Sequence, residues 1–241
     1  MKIDPPTRKA ASRSLEAEVQ SALTWLKRHS TTAALDGMAR YGVPSDNALG
    51  VSMKDMKVLG EKLGHNHELA LKLWDTGVYE ARMMCAFVGD PARTTSAQMD
   101  HWCRDFDNWA IGDTLCFHLF DRTPFAWAKV ARWSSRRDEF QKRAAFALLW
   151  SLSLHDKRAG DEPFVRALVL IERAAGDGRN FVKKAVLMAL GALGRRNLAL
   201  NAAAVAAAQR LVNSREPSAR WIGRNALKEL TSPKVTKRLK K

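Results

Sequence analysis

Phe106–Phe120 reads FDNWAIGDTLCFHLF. Asp107 or Asn108 suits a helix start, because a short polar side chain accepts hydrogen bonds from first-turn N–H groups that have no partner within the helix. The helix predicted to follow is apolar on more than one side. Ile111, Leu115 and Leu119 make one stripe, and Trp109, Cys116, Phe117 and Phe120 follow another, with Asp113 among them. Trp109 and Asp113 are four apart, so they share a face one turn from each other. A carboxylate in an aromatic stripe has lost part of its water. It needs a partner, or it serves as a negative charge for something positive. The plain alternative is a helix-surface Asp that happens to follow a Trp.

The same helical periodicity extends in both directions. Toward the N-terminus, helices are predicted over 14–26, 31–41, 53–63, 67–74, 78–88 and 95–104. Gly42 and Pro44 end the second, Ser52 caps the third and Gly64 stops it. Toward the C-terminus they are predicted over 108–120, 124–133, 139–154, 162–174, 180–193, 198–212 and 217–230. No segment alternates with period two or carries a hairpin signal. Residues 1–13, with Pro5 and Pro6, are expected to form a flexible basic arm. Residues 14–231 are expected to form a single domain, and 232–241 a frayed basic tail.

A faint repeat runs through these helices. A basic residue leads an apolar run at EARMMCAFV (Arg82), QKRAAFALL (Arg143), FVKKAVLMAL (Lys184) and SARWIGRNAL (Arg220), with spacings of 61, 41 and 36 residues. The Trp109 helix falls inside the first interval, so the period is roughly 30–40, that of helical solenoid repeats. The expected fold is all-α, a right-handed curved solenoid of stacked antiparallel helix pairs. Equivalent helices of a solenoid line one surface. Asp113, Arg143, Lys184 and Arg220 are therefore expected on one concave face, basic except at Asp113.

Charge points to a polyanion. The chain of 241 residues has a net charge of +15, and 46% of its residues are hydrophobic. Residues 179–241 hold 15 basic and 2 acidic side chains, while the preceding 178 hold 25 and 23. Such asymmetry fits a nucleic-acid partner, or else a solvated basic face. No apolar run approaches the roughly 20 residues that span a bilayer. The first residues lack the apolar stretch of a secretory signal. A cytoplasmic, nucleoid-associated monomer without membrane contact is expected. Cys85, Cys103 and Cys116 form no CxxC and are expected to be buried and unpaired. His65 and His67 are predicted to turn to different faces with no further ligands, so no metal site is expected.

These residues resemble the AlkD-like family of DNA alkylation-repair proteins, which is built from HEAT-like repeats. The resemblance rests on MARY (Met38–Tyr41), ALGVS ending at Ser52, LWD (Leu73–Asp75), the Trp109–Asp113 pair, QKRAA (Gln141–Ala145), VKKAV (Val182–Val186) and ARW (Ala219–Trp221). It covers nearly all of residues 15–235 and lies in the order and spacing of the pieces. It implies a domain that cradles double-stranded DNA containing alkylated bases and excises cationic ones, 3-alkyladenine and 7-alkylguanine, without extruding them. Asp113 corresponds to the catalytic carboxylate, Trp109 to the aromatic that touches the deoxyribose, and Arg143 to the residue that holds the backbone. Further DNA contacts are expected at Lys184 and Arg220 from the repeat, at Met188 in the place of the family's second Trp, and at Tyr41, which matches a family position and has core packing as its plain alternative. No cofactor is implied.

The sequence departs from that pattern on the VKKAV helix. Met188 and Gly191 stand where a second Trp and an Arg are usual, and Ala110 follows Trp109 where an acidic residue is common. Lys184, Met188 and Gly191 are expected on one stripe. Three functions are consistent with the chain: a monofunctional glycosylase for cationic alkylated purines, a non-catalytic protein binding damaged or branched DNA by shape and phosphate contacts, and a helical scaffold for an acidic protein.

Overall fold

A computed structural model describes residues 8–239, with side chains from Ser14 onward. Every regular element among them is helical. The chain divides between Thr94 and Thr95 into two compact units.

The first unit holds α1 (Arg8–Arg28), α2 (Thr32–Arg40), α3 (Met53–Leu63), α4 (His67–Asp75) and α5 (Tyr79–Val88). Thr31, Ser52 and Asn66 cap α2, α3 and α4 by accepting first-turn N–H groups. Helix α5 packs on α3 and α4, and α1 on α4. Leu69, Leu73, Trp74, Met83, Met84 and Cys85 form the dry centre. The ALGVS stretch is clamped here. The Glu80 carboxylate is fully buried and accepts N–H bonds from Leu49 at 2.8 Å, Gly50 at 2.7 Å and Val51 at 3.2 Å. Three backbone donors replace the water a buried anion would otherwise lose. Gly50 has φ +83°, and a Cβ there would stand 2.6 Å from the Thr31 carbonyl oxygen, so both backbone and space demand glycine.

The second unit holds α6 (Ser96–Arg104), α7 (Trp109–His118), a 3₁₀ turn (Phe120–Arg122), α8 (Ala126–Trp133), α9 (Glu139–His155), α10 (Glu162–Ala174), α11 (Asn180–Leu193), α12 (Leu198–Val212), α13 (Pro217–Leu230) and α14 (Pro233–Leu239). Helix α9 is its centre and packs against α7, α8 and α11. Residues 143–149 are all buried, as an all-round apolar helix must be. Helix α11 packs on α13, and α13 on α12. Asn108, Asp138 and Asn197 cap α7, α9 and α12, and proline sits in the first turn of α10 and α13, where a missing N–H costs nothing.

Two expectations at the ends change. Helix α1 begins at Arg8, inside the segment expected to be an arm. The alanines at 10 and 11 favour helix, and Pro5 and Pro6 precede it. Residues 1–7 lie outside the described residues. The tail is helical from Pro233 to Leu239, with Val235 buried, so an apolar anchor holds what charge alone predicted to fray. The last two lysines lie outside the described residues. No described helix is long and apolar enough to cross a membrane, and all three cysteines are buried and free.

Candidate nucleic-acid site

Asn108 starts the site. Its side-chain oxygen accepts from Ala110 N at 3.0 Å and Ile111 N at 3.1 Å, and its amide donates to Asp107 at 2.7 Å. Asn108 is therefore the cap and Asp107 its brace. The cap sets Trp109 at the first helical position, with Asp113 one turn on. Ile111, Leu115, Cys116 and Leu119 are buried, which leaves Trp109 and Asp113 at the edge of the packed face.

Arg143 comes from the second turn of α9. Its Nε donates to Asp113 Oδ1 at 2.9 Å and its Nη2 to Oδ2 at 2.6 Å, a two-pronged pairing. The side chains are 9% and 15% exposed. Arg143 Nη1 donates to the Phe181 carbonyl oxygen at 2.8 Å. The guanidinium carbon lies 5.6 Å from the Trp109 ring centre, in cation–π range. Burial pushes the Asp113 carboxyl up, and the Arg143 charge and hydrogen bonds pull it back. The balance lies above the ordinary carboxylate value.

Phe181 enters through its backbone, which no side-chain pattern announces. The first turn of α11 is tied to α9 twice. Phe181 N donates to Glu139 Oε1 at 3.1 Å, and the Phe181 carbonyl accepts from Arg143. Its ring packs on Phe140 with centroids 5.4 Å apart. Nearby, Asp177 takes Arg179 through both oxygens and Lys142 at 2.8 Å.

The remaining expected contacts scatter. Lys184 is exposed, one turn beyond Phe181 on α11. Met188 is half-buried. Gly191 is buried, and a Cβ there would stand 2.9 Å from Glu229 Oε2. The stripe from Lys184 therefore runs from solvent into the α11–α13 packing, so that an exposed Lys184 does not bring Gly191 to the surface with it. α11 and α13 approach closely enough there that Glu229 occupies the volume a side chain at 191 would take. Arg220 turns to its own loop, with Nη1 donating to Arg215 O at 2.7 Å and Ser214 O at 3.1 Å. It does not join Arg143. Tyr41 belongs to the first unit, closes α2 and is 70% exposed. Lys183 stands beside Lys184 with no pattern of its own to single it out. Its ammonium lies 4.8 Å from the Trp221 ring centre, and Trp221 is 37% exposed. A Lys–Trp pair across neighbouring helices leaves no local signature. No group of three or more possible metal ligands occurs among the described residues.

Comparison with known proteins agrees with this architecture. A solved structure from a family related to the HEAT-like repeat DNA glycosylases, with affinity for branched DNA structures, superposes with a TM-score of 0.71 at 19% identity, over 79% of this chain and 82% of that one. A designed armadillo repeat protein in complex with a (KR)4 peptide covers 77% of this chain and 88% of its own at 10% identity, but its TM-score of 0.35 is too low to bear on the fold. No curated protein matches the sequence. The family model described as DNA alkylation repair enzyme matches residues 22–230. With a HEAT-like all-helical fold and a match over most of its length, the chain belongs to the DNA alkylation repair enzyme family.

Proposed function

We propose that the chain is a monofunctional DNA glycosylase that hydrolyses the N-glycosidic bond of cationic alkylated purines, 3-alkyladenine and 7-alkylguanine, in duplex DNA. The observation that carries this reading is the Asp113 carboxylate, drawn out of water, one turn from Trp109 and gripped by Arg143. A cationic base leaves as a neutral molecule, and positive charge grows on the deoxyribose as the bond breaks. A carboxylate about 4 Å from that charge contributes on the order of 4 kcal/mol at an effective dielectric near 20. Water then adds to the sugar carbon, its proton passing to Asp113 or to solvent. The indole face offers cation–π and CH contacts to the sugar, worth ~1 kcal/mol.

Arg143 sets the condition for this chemistry. While it holds both Asp113 oxygens, its positive charge offsets the field that Asp113 would place on the sugar. Arginine has five N–H donors, and three carry the bonds above, so two remain for a DNA phosphate. A phosphate engaging them weakens the hold on Asp113, which makes the carboxylate available where DNA is bound.

The full engagement of Asp113 also favours a second reading, non-catalytic binding of damaged or branched DNA, and the burial of Gly191 under Glu229 supports it too. The two separate in one assay. Purified protein is incubated with duplex DNA containing 7-methylguanine, and the free base is quantified. Release by the wild type that the Asp113→Asn variant loses supports the glycosylase. Salt-sensitive binding with no release supports the second reading.

A further inference from the structure

Helices α9 and α11 carry Arg143 and Phe181, which complete the Asp113 site, near their starts. Near their ends the second unit has a cavity of about 430 Å³, whose wall includes Lys157, Arg195, Arg196 and Arg238 and, among the described residues, no carboxylate. Ser153, also on that wall, follows Arg143 by about 15 Å of helix at 1.5 Å per residue.

Cations at helix C-termini are ordinary, because the last carbonyls have no partner within the helix. That accounts for part of the cluster. Arg196 closes α9, with Nη1 donating to Ser153 O at 2.8 Å and Nη2 to Asp156 O at 3.0 Å. Arg195 pairs with Glu229. It does not account for the rest. Lys157 and Arg238 are exposed and make no ion pair with any described residue. The Nε of Arg196 is buried and has no hydrogen-bond partner among the described residues. The guanidinium carbon lies 4.0 Å from the Phe164 ring centre, so ring packing holds Arg196 at the wall. The nearby carboxylates are occupied: Asp156 accepts from Trp127 Nε1 and Asp161 from Asn197.

We propose that this cavity is a second phosphate-binding site, one that holds the backbone of a second DNA segment, the other arm of a branched junction, while the Asp113–Arg143 end holds the first. The proposal rests on the reading of the chain as a DNA binder. Arginine and lysine together suit phosphate oxygens, arginine through paired N–H donors and lysine as a point charge. Glu229 offsets Arg195, but Lys157, Arg196 and Arg238 line one space with no ion pair among the described residues, and phosphate relieves their repulsion. The cavity is much larger than a single ion, and its exposed Lys157 and Arg238 open it to the surface, so it suits a polymer passing by better than an enclosed small anion.

The test compares a linear duplex with a four-way junction of the same arm sequence, by fluorescence anisotropy over a series of salt concentrations. The wild type is set against a Lys157→Ala, Arg238→Ala double variant, whose helicity is checked by circular dichroism. Neither residue makes a described ion pair, and Arg196 is left in place to close α9. The double variant is expected to bind the linear duplex within about two-fold of wild type, to bind the junction about ten-fold more weakly, and to lose about two from the junction's salt slope. Equal losses on both DNAs would overturn the proposal, because the cavity would then lie on the track of the first duplex. An unchanged junction affinity would also overturn it. In a second arm, inorganic pyrophosphate is added alone. A thermal shift that the double variant loses, with junction binding unchanged, would assign the cavity to a free phosphate ligand instead. Wild-type protein that binds neither DNA at low salt would remove the DNA-binding reading itself, and this failure shows in the unmodified chain.

Discussion

Glu229 lies across Gly191, so that a Cβ on Gly191 would meet Glu229 Oε2 at 2.9 Å. The obstacle is the mobile end of a side chain. Gly191→Ala therefore needs only a small movement of the carboxylate and gains helix propensity, up to ~1 kcal/mol in a helix interior. The expected outcome is a melting temperature equal to or above wild type. Gly191→Arg brings a bulk that pushes Glu229 off Arg195 and is expected to lower it. A fall in melting temperature for the alanine variant would show that Glu229 is fixed in place.

Asp113→Asn keeps the shape and removes the charge. Excision of 7-methylguanine is expected to fall on the order of 100-fold or more, while duplex affinity holds or rises, because Arg143 loses an anionic competitor for phosphate. Free-base release and anisotropy read the two effects separately. Equal excision by wild type and variant would remove Asp113 from the chemistry.

Arg143→Ala leaves a desolvated Asp113 without its counter-charge. Breaking one side of a largely buried pair costs about 3 kcal/mol. Because burial then acts on Asp113 unopposed, its pKa is expected to rise further above the ordinary carboxylate value. A group whose folded-state pKa is raised favours folding at low pH and loses that contribution as pH climbs from the unfolded value through the folded one. The variant's stability deficit should therefore shrink as pH falls through the carboxylate range, as urea denaturation at several pH values would show.

Asp177 gives the opposite sign. Hydrogen bonds from Arg179 hold it well below the usual carboxylate range, with Lys142 adding to the effect and burial opposing it. Its stabilisation is present above the ordinary carboxylate value and is lost as pH falls through the depressed one. Asp177→Asn is expected to cost about 2 kcal/mol at pH 7. The cost should fade in strong acid, where the wild type loses the same bonds. A deficit independent of pH would show a packing role only.

Lys184 stands in solvent one turn past Phe181. Non-specific duplex binding is expected to fall with salt at a log–log slope of roughly −4 to −7, and Lys184→Ala should make it shallower by about one. An unchanged slope would place Lys184 off the DNA track.

The helices and their order are written in local stretches of the chain. All twelve ranges from 31–41 onward, met within two residues at each end, and the caps at Ser52 and Asn108 follow from periodicity and from side chains that satisfy first-turn N–H groups, both local effects. The closeness of Trp109 to Asp113 was legible for the same reason: four residues make one helical turn. What those residues meet is set by how the helices pack. That Arg143 would close on Asp113 depends on how α9 packs against α7, and that the Phe181 carbonyl would take its third bond depends on how α11 packs against α9. The packing of α13 along the C-terminal part of α11 buried Gly191 under Glu229 while leaving Lys184 exposed, and side-chain hydrogen bonds to the Ser214 and Arg215 carbonyls drew Arg220 to its own loop. A helix's face is written in its own residues, but its neighbour is chosen by the summed fit of both surfaces, which no short stretch of chain contains.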